Sequence, residues 1–324
     1  MGILKNTRSL LLAILAVAIF MGLAPIAEAQ MQYAIGMTPY GISNVERVAR
    51  LPEGVFIEGS VSDREGNLWF VEIGSGWISR LTPQGKYEKF YDTGYQWGPN
   101  GMAMDREDRL IIAHRQLGII ALDIKTKKVE TIVDNYQGNK FNGPNDLVIN
   151  SKGFIYFTDP WGTGVHNPTG GVYRVSLKGG DIIQLFNNLA FPNGIDLSPD
   201  EKILYIGECN QNRLIHCDLA EDGTIAGSYV MTQFSGGNGP DGMSLDVKGN
   251  IYQAHFDSGG VYVVSPMGKI LDFIAVPEGT GTTQATFGGP DHKTLYILES
   301  WKNTIYKVTV AYPGRPRYHQ TWIK

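Results

Sequence analysis

Six polar residues recur at matching places along this chain, and each carries a side-chain oxygen able to bind a metal ion or a substrate. They are Glu58, Asn100, Asn145, Asn193, Asp241 and Gln284. A second set follows them by 14 or 15 residues and is ionisable throughout: Glu72, His114, Asp159, Glu208, His255 and Glu299. Carboxylates and amide carbonyls are hard donors that suit Ca²⁺ or Mg²⁺. Zinc sites usually draw on His and Cys, and neither stands in the first set. Glu58 and Asp241 would balance a divalent charge. Ca²⁺ accepts irregular, partly hydrated geometry better than Mg²⁺. It is therefore the expected ion, with Mg²⁺, Mn²⁺ or Zn²⁺ as alternatives. Such an ion polarises a carbonyl and acidifies water, which is the chemistry of ester or lactone hydrolysis.

The local sequence suits the aiming of ligands. Gly-Pro-Asn-Gly, Gly-Pro-Asn-Asp, Phe-Pro-Asn-Gly and Gly-Pro-Asp-Gly surround Asn100, Asn145, Asn193 and Asp241. Proline fixes the backbone and glycine permits tight turns. Other catalytic patterns are missing: there is no G-x-S-x-G, H-E-x-x-H, Walker A or C-x-x-C. His166, His216, His292 and His319 show no ligand spacing, and His216 reads as a strand residue.

The elements that position these residues follow from a repeat. Segments from Glu58 (EGSVSDREGNLWFVE), Asn100, Asn145, Asn193, Asp241 and Gln284 share one pattern: apolar strand, polar turn, apolar strand. They start 42 to 48 residues apart, and a third strand such as GVYRVS follows each pair. No long stretch has a helical apolar period. This predicts an all-β fold, a six-bladed β-propeller with four-stranded blades starting near 58, 100, 145, 193, 241 and 284. Val45–Arg50 alternates like a strand and is expected to complete the last blade, since closure removes exposed edges. The first strand of each blade then lines the axis, so the first set converges there. The second strands return to the same mouth with the second set.

Residues 1–29 read as a secretory signal peptide. Lys5 and Arg8 precede the apolar run 10–23, and Ala27-Glu28-Ala29 offers a cleavage site. The remainder, 30–324, reads as one periplasmic or secreted domain. No later apolar run could span a bilayer, so no membrane is expected after cleavage. A net charge of −4 without a basic run excludes nucleic acid as the natural partner. Closed blades are compatible with a monomer. Asn210-Gln211-Asn212 reads as a turn pairing Cys209 near Arg213, which disfavours a Cys209–Cys217 disulfide.

At the repeats the sequence resembles the family of gluconolactonases, SMP-30 (regucalcin) and Drp35-like lactonases. The resemblance rests on FNGPNDLVINSKGFIYFTDP from Phe141, NPTGGVYRV from Asn167, FPNGIDLSPDEKILYIGE from Phe191 and GPDGMSLDVKGNIYQAH from Gly239. It implies one metal held by Glu58, Asn193 and Asp241, with Asn145 as ligand or substrate contact and Asp241 as general base. A second, structural calcium at Asp146 is also implied, although Gly59 replaces the acidic partner found in some relatives. Asn100, His114, Asp146, Asp159, Trp161, His255 and Gln284 would contact substrate or support the ligands. His114 or His255 could serve as the base instead of Asp241. The animal proteins carry Arg where this chain has Gly143, so their mode of sugar recognition does not carry over. Trp161, on the long loop Asp159–Gly170, is either an aromatic lid or simple loop packing. The expected activity is opening of a small lactone. An arylesterase or phosphotriesterase on the same ion, and a non-catalytic ligand-binding propeller, are the alternatives.

Overall fold

Runs such as Leu68–Glu72 and Phe154–Asp159 are apolar on both strand faces because each sheet is covered by a neighbour on either side. The structure, a computed structural model, describes residues 44–320. The expected leader at 1–29 lies outside the described residues. Among the described residues there is no α-helix. The chain forms six four-stranded antiparallel sheets, a short hairpin (Asn135–Tyr136 with Asn139–Lys140) and two single-turn 3-10 helices. The sheets are the blades of a propeller. Glu46–Arg50 pairs antiparallel with Thr304–Thr309, so a strand from the N-terminal side closes the ring, as its alternation predicts.

The core is divided among the blade interfaces. Each of six buried clusters joins residues from two adjacent blades. Between the first two blades, Val61, Trp69 and Val71 pack on Met104, Leu110 and Ile112. At the seam where the ring closes, Leu51, Val55 and Ile57 pack on Leu298 and Ile305. Burying a large apolar side chain stabilises a fold by about 1.5–3 kcal/mol. The seam is therefore held by side-chain packing as well as by the strand ladder.

The inner strands are Ile57–Ser62, Pro99–Met104, Leu147–Ile149, Pro192–Leu197, Gly239–Leu245 and Thr282–Gly288. In five of them the register shifts where the strand meets the axis mouth: after Glu58, Pro99, Pro192, Pro240 and Thr282. In the third blade Thr158 bonds to both Asn145 and Asp146, which sets two residues against one. Such bulges bend a strand and re-aim its side chains.

The register corrects one assignment. Ile57, Pro99, Pro192 and Pro240 lie opposite Glu72, His114, Glu208 and His255, and Thr282 lies opposite Glu299. Thr283, not Gln284, therefore stands at the sixth position of the first set. In the last blade the ladder runs one residue farther on each strand between the turn and the mouth, from Gly288–Thr294 to Thr282–Glu299, so a repeat counted from the turn is shifted by one. Cys209 and Cys217 are both buried and free, and Glu208 pairs with Arg213 across the short turn.

Candidate metal and substrate site

Glu58, Asn100, Asn145, Asn193 and Asp241 line one cavity of about 320 Å³ at the mouth of the axis. The three asparagines and Asp241 are almost fully buried. Their backbone is tied to neighbouring strands. Gly101 N–H donates to the Asn145 carbonyl (2.6 Å), Thr158 Oγ1 to the Asn193 carbonyl (2.8 Å) and Gln253 Nε2 to the Asp241 carbonyl (2.7 Å). Thr283, at the sixth position, turns its hydroxyl to the Ile57 carbonyl (2.9 Å) and is fully buried. It joins blade six to blade one and does not line the cavity.

The next residue along each inner strand explains how the ring is drawn tight. These residues are Gly59, Gly101, Asp146, Gly194, Gly242 and Gln284. A Cβ at Gly59 would lie 2.4 Å from the Asn100 carbonyl oxygen, and one at Gly194 2.0 Å from that of Asp241. At Gly101 and Gly242 it would collide with the side chains of Asp146 and Gln284. Glycine is required at these positions because adjacent blades approach backbone to backbone. Asp146 and Gln284 fill the narrow space beneath the floor. Asp146 accepts the backbone N–H of Leu147 (2.8 Å), and burial pushes its carboxyl up to about 7.

The floor is electrostatically unfinished. Burial raises the pKa of Glu58 well above the ordinary carboxylate range, and the charges of Asp241 and Asp146 raise it further. Asp241 is raised as well, by burial and then by Asp146; hydrogen bonding from Asn193 and Gly242 opposes this. Among the described residues neither Glu58 nor Asp241 has an ion-pair partner. Arg315 and Arg317 pair with Asp196 on the C-terminal segment, and Arg317 lines a separate pocket farther along the inner strands. Among the described residues no three His, Cys, Asp or Glu side chains gather at one point. The donor set is two carboxylates completed by amides, which fits a hard divalent cation.

The walls are apolar, and apart from Trp161 they were not read from the sequence. Phe56, Ile73, Trp97, Trp161, Phe191 and Phe256 line the cavity above the floor. A pattern links them to the ring. Two residues before each anchor position the chain has Phe56, Gly98, Gly143, Phe191, Gly239 and Gly281. At three of the four glycines another side chain fills the space: His114 and Tyr95 at Gly98, Trp161 and Arg115 at Gly143, and Trp301 at Gly281; at Gly239 the backbone of Cys209 does so. Trp161 is thus seated in the wall by the absence of a side chain at Gly143. Arg115 covers its outer face, with the guanidinium 4.0 Å from the ring centroid.

The second set is brought to the same end of the blades but faces inward to its own loops. All six residues are 0–1 % exposed, and none lines the cavity. Asp159 accepts the N–H groups of Asn142 and Gly143, and Glu208 that of Ala190. Glu299 accepts those of Gly281, Trp301 and Lys302. Glu72 takes the hydroxyls of Ser75, Ser79 and Tyr87. His114 Nδ1 accepts from the backbone of Gln116 and Leu117; His255 bonds to Asn212 and Ser258. Burial lowers both histidines to about 4, so they are neutral at pH 7. Asp159, Glu208 and Glu299 thus hold the segments that lead into the third, fourth and sixth inner strands, and Glu72, His114 and His255 hold the turns that follow their own strands.

A six-bladed propeller with acids and amides at one mouth of its axis, under an aromatic wall, defines a class of small-molecule binding sites. Residues 56–300 match the family model described as the SMP-30/gluconolactonase/LRE-like region, and the chain belongs to this family. It is 36% identical over 232 residues to the lactonase drp35 of Staphylococcus saprophyticus, covering 68% of this chain and 70% of that protein. A gluconolactonase from Xanthomonas campestris superposes with a TM-score of 0.72 at 21% identity, covering 83% of this chain and 90% of the other. Regucalcin from Agrobacterium tumefaciens, described as a calcium-binding protein, gives 0.72 at 22% identity over 86% of this chain and 96% of the other. At such identities the two structures share the fold.

Proposed function

We propose that the chain is a hydrolase that opens a small lactone at a divalent-cation site, with Ca²⁺ the ion its donors suit best. Glu58, Asn145, Asn193 and Asp241 would hold the ion. One observation carries the reading: two carboxylates, Asp241 buried and Glu58 half-buried, lie at the floor of an aromatic-walled cavity with no cationic side chain among the described residues that line it. Burying uncompensated charge is costly, and a divalent ion removes that cost. The lactonase relative supports the substrate class, and the regucalcin relative supports the ion. The leader read in residues 1–29 would deliver the protein outside the cytoplasm, where Ca²⁺ is abundant.

When bound, the ion would supply polarisation of the lactone carbonyl and a lower pKa for water. The remaining work falls to the protein. Asp241 accepts the proton of the attacking water and returns it to the ring oxygen as the C–O bond breaks, leaving a hydroxy acid. The amide of Asn100, which lines the same cavity, would donate to the oxygen on which charge develops. The aromatic wall orients the ring and excludes bulk water. His114 and His255 are sealed away from the cavity and act through the loops that they support.

Asp241→Asn separates these roles. It keeps an oxygen donor but removes the base and one ligand charge, so with Ca²⁺ raised until the rate no longer changes, kcat falls by about 10²-fold or more while KM moves little. Retention of the wild-type kcat would sink the assignment of Asp241.

A further inference from the structure

We infer that the site selects lactones bearing an apolar chain of several carbons, seated on a track formed by Phe56, Trp97, Phe256 and Trp301. This rests on the lactonase reading and adds the part of the substrate that the reaction does not touch.

Four observations converge on the track. First, the rings are continuous: the Phe56 ring centroid lies 5.7 Å from Trp97, 6.3 Å from Phe256 and 5.2 Å from Trp301, and Phe256 lies 5.3 Å from Trp301. Second, the run leads from inside to outside. Phe56, Trp97 and Phe256 line the cavity with Glu58 and Asp241, while Trp97 and Trp301 are 45% and 51% exposed. A compact ring on the floor would leave these indoles in water, whereas a chain running outward would cover them. Third, the rings are held. Phe56 and Trp97 sit at φ of +43° and +56°, a region costly for bulky residues and maintained only where the surroundings enforce it. Asn303 Oδ1 accepts the Phe56 N–H at 3.1 Å, and the Ile73 carbonyl that of Trp97 at 2.6 Å. Trp301 Nε1 donates to Asp257 Oδ1 at 2.7 Å, and the other oxygen of Asp257 accepts from Asn238. Fourth, among the described residues no Lys, Arg or His lines the cavity, so its walls offer no cationic partner to an anionic substituent.

The test uses the calcium-loaded protein and the series γ-butyrolactone, γ-octalactone and γ-dodecalactone. A methylene that is half to fully buried contributes roughly a two- to fourfold gain. The expected rise in kcat/KM from butyrolactone to octalactone is therefore on the order of 10- to 200-fold. The readout is the long-to-short ratio within each protein, which cancels any difference in folded fraction. Trp301→Ala and Trp97→Asn, the latter chosen because Asn tolerates positive φ, should each reduce that ratio at least threefold. In parallel, calorimetry measures binding of cyclic ethers with the same alkyl chains, which cannot be hydrolysed. Hydrolysis with a flat chain-length profile, or a ratio unchanged in both variants, overturns the track and leaves the lactonase reading standing. Chain-dependent ether binding that both variants weaken, without hydrolysis of any lactone, supports the track and overturns the lactonase reading. Neither binding nor hydrolysis overturns both.

Discussion

His114 offers a sharp test of whether the ionisable second set is structural. Its imidazole is fully buried, and burial lowers it from 6.5 to about 4. A group whose pKa is lower in the folded state opposes protonation. Its contribution to stability is present above the unfolded value and is lost as pH falls from 6.5 towards 4. Between pH 7 and pH 5.5 the loss from this one residue is about 1 kcal/mol. Buried carboxylates such as Asp146 change stability in the opposite direction over the same range, so the wild-type curve alone does not isolate it. The perturbation is His114→Asn, whose Oδ1 can stand in for Nδ1 and accept the N–H groups of Gln116 and Leu117. Urea unfolding of both proteins at the two pH values gives the comparison. The drop in unfolding free energy on acidification should be smaller in the variant by about 1 kcal/mol. An identical drop would mean that His114 titrates as an open imidazole, and the claim that it is withheld from catalysis would fail.

Three further outcomes follow from the packing. Gly194→Ala would place a Cβ 2.0 Å from the Asp241 carbonyl oxygen; overpacking of this kind should destabilise the fold by about 3 kcal/mol or more, read by thermal melting. Gly143→Ala would place a Cβ 2.4 Å from Trp161 Cδ1, displacing the indole from the wall, so KM should rise several-fold with a smaller change in kcat. Calcium at about 100 times its dissociation constant should stabilise the wild type by about 2.7 kcal/mol, visible as a higher melting temperature. Glu58→Gln should abolish most of that increase, and an equal increase in the variant would remove Glu58 from the ligand set.

Much of the architecture was legible because propeller repeats write the same strand–turn–strand pattern six times. The closing strand Glu46–Arg50 was legible from its alternation, and the floor of the site from the polar residue opening each inner strand. Gln284 was misplaced for a physical reason. Strands one residue longer between turn and mouth move the apolar pattern without changing it, and only the pairing of Thr282 with Glu299 shows that Thr283 belongs in that layer. The second set was located at the correct end of the blades, but its orientation depended on hydrogen bonds to loop amides that no spacing encodes. The aromatic wall was largely missed because its members sit in different contexts: Phe56 and Phe191 two residues before an anchor, Trp97 three before, and Phe256 just after His255. The signal was present in the alternation of phenylalanine and glycine two residues before the anchors. Its meaning appears only when Trp161 and Trp301 are seen in the spaces that glycines leave.

The most direct test of the central claim is a pH-stat assay of lactone opening on protein lacking residues 1–29, first in EDTA and then with Ca²⁺ restored, alongside Asp241→Asn. Activity should disappear on chelation, return with Ca²⁺ and stay at least about 10²-fold lower in the variant. Full activity in EDTA, or no activity on any lactone from folded, calcium-loaded protein, would contradict that claim.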